Sequence, residues 1–172
     1  GNKLLEFVRG AAVPFPSGAA QAELFDTVLG VAIDRFDRLW TIDHGNHGLR
    51  PARIVAIDLH TNEVLRHQVL SPDIAPAGSF LQDLQISVDG RTIVIADASF
   101  WRKSPAIIVY DIETGDARRV LESHWTVSAE DYLIRRFGGP LSLRDITHRA
   151  KDRKRGLIAL STHFTARDLD DV

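Results

Sequence analysis

The stretch that decides the fold is Ile54-Val55-Ala56-Ile57-Asp58-Leu59, followed by Thr61-Asn62-Glu63. The same pattern returns 53 residues later as Ile107-Ile108-Val109-Tyr110-Asp111-Ile112, followed by Thr114-Gly115-Asp116. Both copies combine a strand-length apolar run with the residues of a tight turn. A repeat of about 50 residues built in this way is typical of the four-stranded blades of a β-propeller.

Each copy of the repeat contains four strand-length runs separated by turn residues. The runs are Gly30–Asp34, Leu39–Ile42, Arg53–Ile57 and Val64–Val69 in the first copy, and Leu84–Ser87, Thr92–Ala96, Ala106–Tyr110 and Ala117–Leu121 in the second. We therefore predict one blade over residues 25–70 and another over residues 80–122. Asn62 and Gly115 occupy the same turn position, and both residue types tolerate positive φ.

The sequence changes character after the second blade. Ser128 and Asp131 have the spacing of a capping box ahead of an apolar run, which predicts one short helix near residues 128–137. We place this helix in an insertion over residues 123–142 and predict the degenerate start of a further blade over residues 143–172. The fold class is therefore all-β, a partial β-propeller of four-stranded antiparallel blades in a single domain.

The number of blades has consequences for the surface. A propeller closes with about 4 to 8 blades, and this chain encodes about two complete blades plus parts. Missing blades or self-association are then needed to cover the apolar blade faces. The chain also contains no methionine, even at position 1, which together with the blade count predicts a fragment of a longer protein.

Composition excludes several classes of function. A formal net charge of −2 provides no field that favours nucleic acid or an anionic membrane, and we expect neither as a partner. The absence of cysteine excludes disulfides, thiolate metal sites and cysteine nucleophiles. No apolar run approaches the roughly 18 residues of a transmembrane helix. Nucleophile-elbow, Walker and dinucleotide-binding motifs are absent too, so serine-hydrolase and nucleotide-driven chemistry have no support.

The most polar cluster of the chain is Asp43–Gly48. Its carboxylate and two imidazoles suit zinc or iron, but histidines three residues apart on a glycine-bracketed turn are more often solvated loop residues. Asp43 and Asp97 occupy equivalent repeat positions, which predicts a shared structural role at the end of a strand. Asp58 and Asp111 form a second such pair.

The aromatic residues divide into two groups. Trp40 and Tyr110 lie in strand patterns and are predicted to be core residues. Trp101 lies in a loop, which makes it the better candidate for lining a small-molecule pocket.

Several stretches together resemble the major royal jelly protein and Yellow family, particularly its bacterial members. Leu29–Asp34 followed by Arg38–Gly45 is similar to a strand pair of that family, Ser79–Leu84 to its Ser-Phe-Leu-Asn-Asp-Leu signature, and Ile108–Asp111 to its Val-Tyr-Asp motif. The resemblance runs from about residue 25 to residue 140. It implies a six-bladed propeller distantly similar to gluconolactonases, located outside the cell or in the periplasm, with the cytoplasm as the alternative.

The resemblance also implies where a site would lie. In gluconolactonase-like propellers, a calcium or zinc ion on the channel axis is held by carboxylate and amide oxygens and activates water against a lactone. Gln82 and Asp83 stand at the corresponding start of an innermost strand, although the family usually has asparagine at the position of Gln82. Asp83 is therefore the candidate metal ligand and calcium the candidate cofactor, with a structural role for Asp83 as the alternative.

Three functions are compatible with the sequence. The first is a small-ligand-binding protein without a complete catalytic site in this chain, as the family's amine-binding members suggest. The candidate ligand-binding residues are Trp101, Asp83, Gln82, Asp43 and His44. The second is a metal-dependent lactonase or related hydrolase whose remaining metal ligands lie on missing blades, and the third is a structural interaction scaffold.

Overall fold

The computed structural model describes residues 3–99 and 101–128, together with the backbone of residues 133–136 and 139–142. The chain divides into two compact units, Gly1–Ser128 and Ala129–Val172. In chain order, the described part of the first unit contains β1 (Leu5–Val8), β2 (Ala11–Pro14), α1 (Ala20–Leu24), β3 (Val28–Ile33), β4 (Arg38–Asp43), α2 (Gly45–Gly48), β5 (Arg53–Asp58), β6 (Val64–Val69), β7 (Leu81–Ile86), β8 (Thr92–Asp97), β9 (Ala106–Asp111), β10 (Ala117–Val120) and a 3₁₀ turn (Trp125–Val127). The second unit contains β11 (Leu133–Arg136) and β12 (Gly139–Ser142). No described helix is long and apolar enough to cross a membrane.

Two four-stranded antiparallel sheets form the body of the first unit. The first sheet has the order β3-β4-β5-β6 and the second has the order β7-β8-β9-β10. Each sheet is a meander in which every strand pairs with the next one along the chain. The predicted fold class, four-stranded antiparallel sheets of a partial propeller, is confirmed.

The turns that close the third hairpin of each sheet use the same chemistry. Asp58 accepts backbone N–H groups of His60 and Thr61 at 2.8 and 2.9 Å, and Asp111 accepts the N–H of Thr114 at 2.8 Å. Asn62 and Gly115 have φ values of 60° and 79°. The predicted equivalence of these turn positions is therefore confirmed.

The main hydrophobic core contains residues of both sheets. Its buried members are Trp40, Ile42, Ala52, Ile54, Ala56, Leu70, Leu81, Leu84, Ile93, Ile95, Ile108, Tyr110 and Ile112. The rings of Trp40 and Tyr110 meet edge to face at 6.4 Å, which confirms their prediction as core residues. At one end of this core Tyr110 donates its hydroxyl hydrogen to Gln68 at 2.8 Å, so its polar group is satisfied.

The opposite face of the first sheet packs against the N-terminal segment. Phe15, Leu24 and Phe25 form a second core with residues of β4 and β5, including Leu39 and Val55. Both faces of the first sheet are thus in contact with other parts of the first unit.

The helix predicted near residues 128–137 is wrong for residues 133–136. These residues form β11, which pairs antiparallel with β12, with Ile134 opposite Leu141. Ser128 has extended backbone angles, φ −91° and ψ 146°, so it does not begin a helix. The β-branched Ile134 suits a strand, and pairing with β12, the next strand along the chain, overrides the local capping signal. Residues 129–132 and 137, and the further blade predicted over residues 143–172, lie outside the described residues.

Candidate functional site

The candidate residues gather at one edge of the two sheets, which we call the upper edge. It is formed by the first residues of β3 and β7 and the last residues of β4 and β8, with Val28 opposite Asp43 and Leu81 opposite Asp97. Each of the five predicted ligand-binding residues lies on this edge or in a segment that leaves it. The meander topology is what brings residues so far apart in sequence to the same edge.

Asp43 holds the upper edge of the first sheet together. Its carboxylate is fully buried and accepts the backbone N–H groups of Asp26, Thr27 and Gly45, the last two at 2.9 Å. Three N–H donors satisfy a buried carboxylate that would otherwise be costly to desolvate. A direct contact between Asp43 and a ligand would therefore require these loops to open.

Asp97 does the same in the second sheet. It accepts the N–H groups of Phe80 at 2.7 Å and Ser99 at 2.8 Å, and its second oxygen pairs with Arg119 at 2.7 Å. In both sheets the aspartate at the end of the second strand binds the segment that leads into the first strand. The shared structural role predicted for Asp43 and Asp97 is confirmed.

His44 is a buried neutral histidine. Only 2% of its surface is exposed, and its Nδ1 accepts the backbone N–H of His47 at 2.7 Å. Burial lowers the pKa of His44, and the nearby His47 lowers it further, while Asp43 and Asp26 offset part of the shift. Its ring lies 4.8 Å from that of His47 and 5.1 Å from that of Phe80.

The α2 turn joins the first sheet to the segment that leads into β7. Asn46 and His47 have φ values of 51° and 58°, an uncommon conformation for residues other than glycine. A Cβ on Gly48, whose φ is 74°, would lie 2.4 Å from the carbonyl oxygen of Ser79. Gly48 in turn accepts the N–H of Gly78 at 3.0 Å, so the turn is held by contacts with the second sheet's leading segment.

Gln82 lies in a β-bulge between Leu81 and Asp83, and Leu29 lies in an equivalent bulge between Val28 and Gly30. A Cβ on Gly30 would lie 3.2 Å from the Cα of Asp83, so the two bulges are side by side. Bulges change the direction of side chains and are common beside functional sites.

The paired bulges are a feature that our sequence analysis did not find. The signal for one of them is Gly30, because a glycine inside a strand marks a bulge or a close backbone approach. Gln82 is partly exposed and Asp83 is exposed. One oxygen of Asp83 accepts the N–H of Leu84 at 2.8 Å.

Trp101 lies in the loop after β8 and exposes 65% of its surface. Lys103 donates its N–H to the carbonyl of Ser99 at 2.7 Å, which closes the loop. The Cβ of Trp101 lies 3.7 Å from the position that a Cβ on Gly78 would occupy. The structure therefore brings this loop beside the segment that carries Phe80, whose ring contacts those of His44 and His47.

The described residues alone do not fit the calcium site that the family resemblance implied. Calcium takes about six to eight oxygen ligands, whereas Gln82 and Asp83 supply one amide and one carboxylate. Within the described ranges, no group of three histidine, aspartate or glutamate side chains converges as a metal site requires. Asp83 as a metal ligand stays a prediction.

A comparison with protein families decides the affiliation of the chain. The family model described as "Major royal jelly protein" matches residues 26–134, which is more than half of the sequence. The chain belongs to the major royal jelly protein family. The match includes both four-stranded sheets and each of the five candidate residues, so the family resemblance seen in the sequence is confirmed. No curated protein matches the chain.

Proposed function

We propose that this member of the major royal jelly protein family belongs to a β-propeller that binds a small ligand at the upper edge. The observation that carries the proposal is the grouping of aromatic faces there. Trp101 is largely exposed beside Gly78, and two residues further along the Phe80 ring lies 5.4 Å from that of His47. Aromatic faces bind planar and cationic groups through stacking and cation–π interactions.

An aromatic amine is the ligand class that these groups would suit. Its ring would stack on Trp101, and its ammonium group would be attracted by the exposed carboxylate of Asp83 at the start of β7. The bulge at Gln82 adds an amide that can donate or accept a hydrogen bond. Small-molecule sites usually combine apolar walls with a few polar groups of this kind.

The test uses tryptamine as the probe and acrylamide quenching of tryptophan fluorescence as the measurement. Trp125 is the other exposed tryptophan, whereas Trp40 is buried. In the Trp125→Phe variant, quenching by acrylamide therefore measures the accessibility of Trp101. We expect saturable protection of Trp101 from quenching. The Trp101→Ala variant should bind up to about tenfold more weakly, since an aromatic stacking contact contributes about 0.5–1.5 kcal/mol. Affinity is measured by calorimetry, with Trp125→Ala as the matched control that leaves it unchanged.

Three results would contradict the proposed ligand site or favour one of the other functions. Turnover of a lactone that is abolished by chelator and by Asp83→Ala would favour the metal-dependent lactonase. Equal affinity in the Trp101→Ala and Trp125→Ala variants would contradict a ligand site at Trp101. If no small ligand binds or changes tryptophan quenching, the structural interaction scaffold is the remaining function.

A further inference from the structure

We propose that protonation of His44 in mild acid releases the α2 turn from the segment that leads into β7. This pH-dependent change concerns the upper edge but does not depend on whether the proposed ligand binds there. Three features support this change: the hydrogen bond between His44 and the N–H of His47, the charged groups around His44, and the positive φ angles of the α2 turn.

The hydrogen bond requires a neutral imidazole. Nδ1 of His44 accepts the N–H of His47 at 2.7 Å, which leaves the ring proton on Nε2. A protonated imidazole carries a hydrogen on both nitrogens, so a donor would face a donor. Because only 2% of His44 is exposed, the new hydrogen on its Nδ1 could not reach water without movement of the turn.

The charged groups around His44 do not provide a ready partner for an imidazolium. From α2 itself comes His47, which lowers the pKa of His44 and so disfavours a charge on it. From β4 comes Asp43, whose carboxylate is engaged with three backbone N–H groups. The segment before β3 contributes Asp26, which pairs with Arg50 at 3.2 Å, and the segment before β7 contributes the uncharged Phe80.

The α2 turn has a reason to relax once this hydrogen bond is lost. Asn46 and His47 both have positive φ, which side chains disfavour and which persists only where surrounding contacts maintain it. The contacts that maintain this conformation include the N–H of His47 on Nδ1 of His44 and the N–H of Gly78 on the carbonyl of Gly48. The N–H of Asn46 on Thr27 Oγ1 at 3.3 Å and the N–H of Arg50 on the Gly45 carbonyl at 2.9 Å also hold the turn, and they do not depend on the charge of His44. Relaxation of the turn would withdraw Gly48 from Gly78 and the His47 ring from Phe80.

The direction of the pH dependence follows from the lowered pKa of His44. In the unfolded chain the pKa of His44 is near 6.5, the ordinary value for histidine, and in the folded chain it is lower. The unfolded or locally opened chain therefore binds more protons in this range, so closure is favoured fully above about pH 6.5 and is lost as the pH falls toward the folded pKa.

Amide hydrogen exchange measured by NMR tests the proposal on the intact chain. After correction for intrinsic exchange, we expect the protection of the Gly78 amide to fall between about pH 7 and pH 5, by up to about tenfold per pH unit. The Leu70 amide is the internal control, because it donates to Ala52 at the same end of the sheet without touching α2. Its protection should stay constant.

Two variants assign the effect to His44. In the variant His44→Asn, the side-chain amide oxygen would occupy nearly the position of Nδ1 and accept the same N–H without titrating, so Gly78 protection should become independent of pH. The matched control, His60→Asn, removes an exposed histidine and should behave as the native chain does. Persistence of the fall in His44→Asn, or constant Gly78 protection in the native chain, would overturn the proposal.

A measurement on the native chain covers the case in which His44→Asn does not fold. Nitrogen NMR of the imidazole should find Nδ1 of His44 unprotonated at about pH 7. A proton on Nδ1 at that pH would refute the hydrogen bond and the proposal with it.

Discussion

At the scale of single residues, the upper edge depends on two buried aspartates. Asp43 and Asp97 end the second strand of their sheets, and both accept N–H groups from the segment that enters the first strand. A charge-assisted hydrogen bond to a buried carboxylate is stronger than one between neutral groups, and its loss leaves donors unsatisfied. Both residues therefore stabilise the edge on which the proposed ligand site is built.

The variant Asp43→Asn tests this role. We expect the free energy of unfolding to fall by about 2–4 kcal/mol, because an amide replaces an acceptor-only group facing three N–H donors. Urea unfolding followed by circular dichroism measures the change. The control Asp58→Asn alters a partly exposed turn carboxylate and should cost much less. Equal losses in the two variants would argue against a special role for Asp43.

The sequence repeat predicted the role of some of these residues but not of others. Asp43 and Asp97 could be paired from the sequence because both copies of the repeat retain the carboxylate. Asp34 could not be paired in this way, because its structural counterpart in the second sheet is Ser87, a different residue type. Asp34 accepts from the N–H of Arg38 and the indole of Trp40, whereas the Ser87 hydroxyl accepts from the N–H of Thr92. The same task is performed by different chemistry, so residue identity does not reveal it.

Among the structural elements, the strands and their turns could be predicted from local sequence signals, whereas the strand bulges and the α2 turn could not. The apolar runs and turn residues predicted the eight strands of the two sheets because both signals are local in sequence. The bulge at Gly30 and the conformation of α2 arise from contacts with residues about 30 to 50 positions away, such as Asp83 and Ser79. The helix predicted near residues 128–137 failed over residues 133–136 for a different reason: the capping signal does not report the pairing of β11 with β12, which follows it directly in the chain.

The variant Gly48→Ala tests the contact between α2 and the segment before β7. A methyl group there would combine a positive φ with a 2.4 Å approach to the Ser79 carbonyl oxygen. Gly10→Ala is the matched control, because Gly10 has a φ of 84° and open space around its Cβ position. Gly10→Ala should cost about 1–2 kcal/mol of unfolding free energy from backbone strain alone, and Gly48→Ala should cost clearly more in the same urea titration. Similar costs would mean that the Gly48 contact yields without penalty.

In the whole molecule, each sheet has an apolar face at the same position of the repeat. This face is buried in the first sheet and exposed in the second. Trp40 and Ile42 face the second sheet and are 2% and 0% exposed. Their counterparts 54 residues later are Val94, which is 40% exposed, and Ala96, which is also exposed. Equivalent positions of the repeat thus differ in burial, because among the described residues this face of the first sheet packs against a neighbouring sheet and that of the second sheet does not.

We propose that this face of the second sheet, which a further blade would cover in a closed propeller, binds a second copy of the chain when the 172 residues stand alone. Val94→Lys should then reduce the self-association of the 172-residue chain in sedimentation velocity across a concentration series, because it places a charge in the apolar face. The control Val88→Lys alters a turn residue that is 92% exposed and should leave association unchanged. A native chain that stays monomeric throughout the series would contradict a second copy as the occupant. An equal effect of the two lysines would mean that added charge, and not the face that carries Val94, controls association.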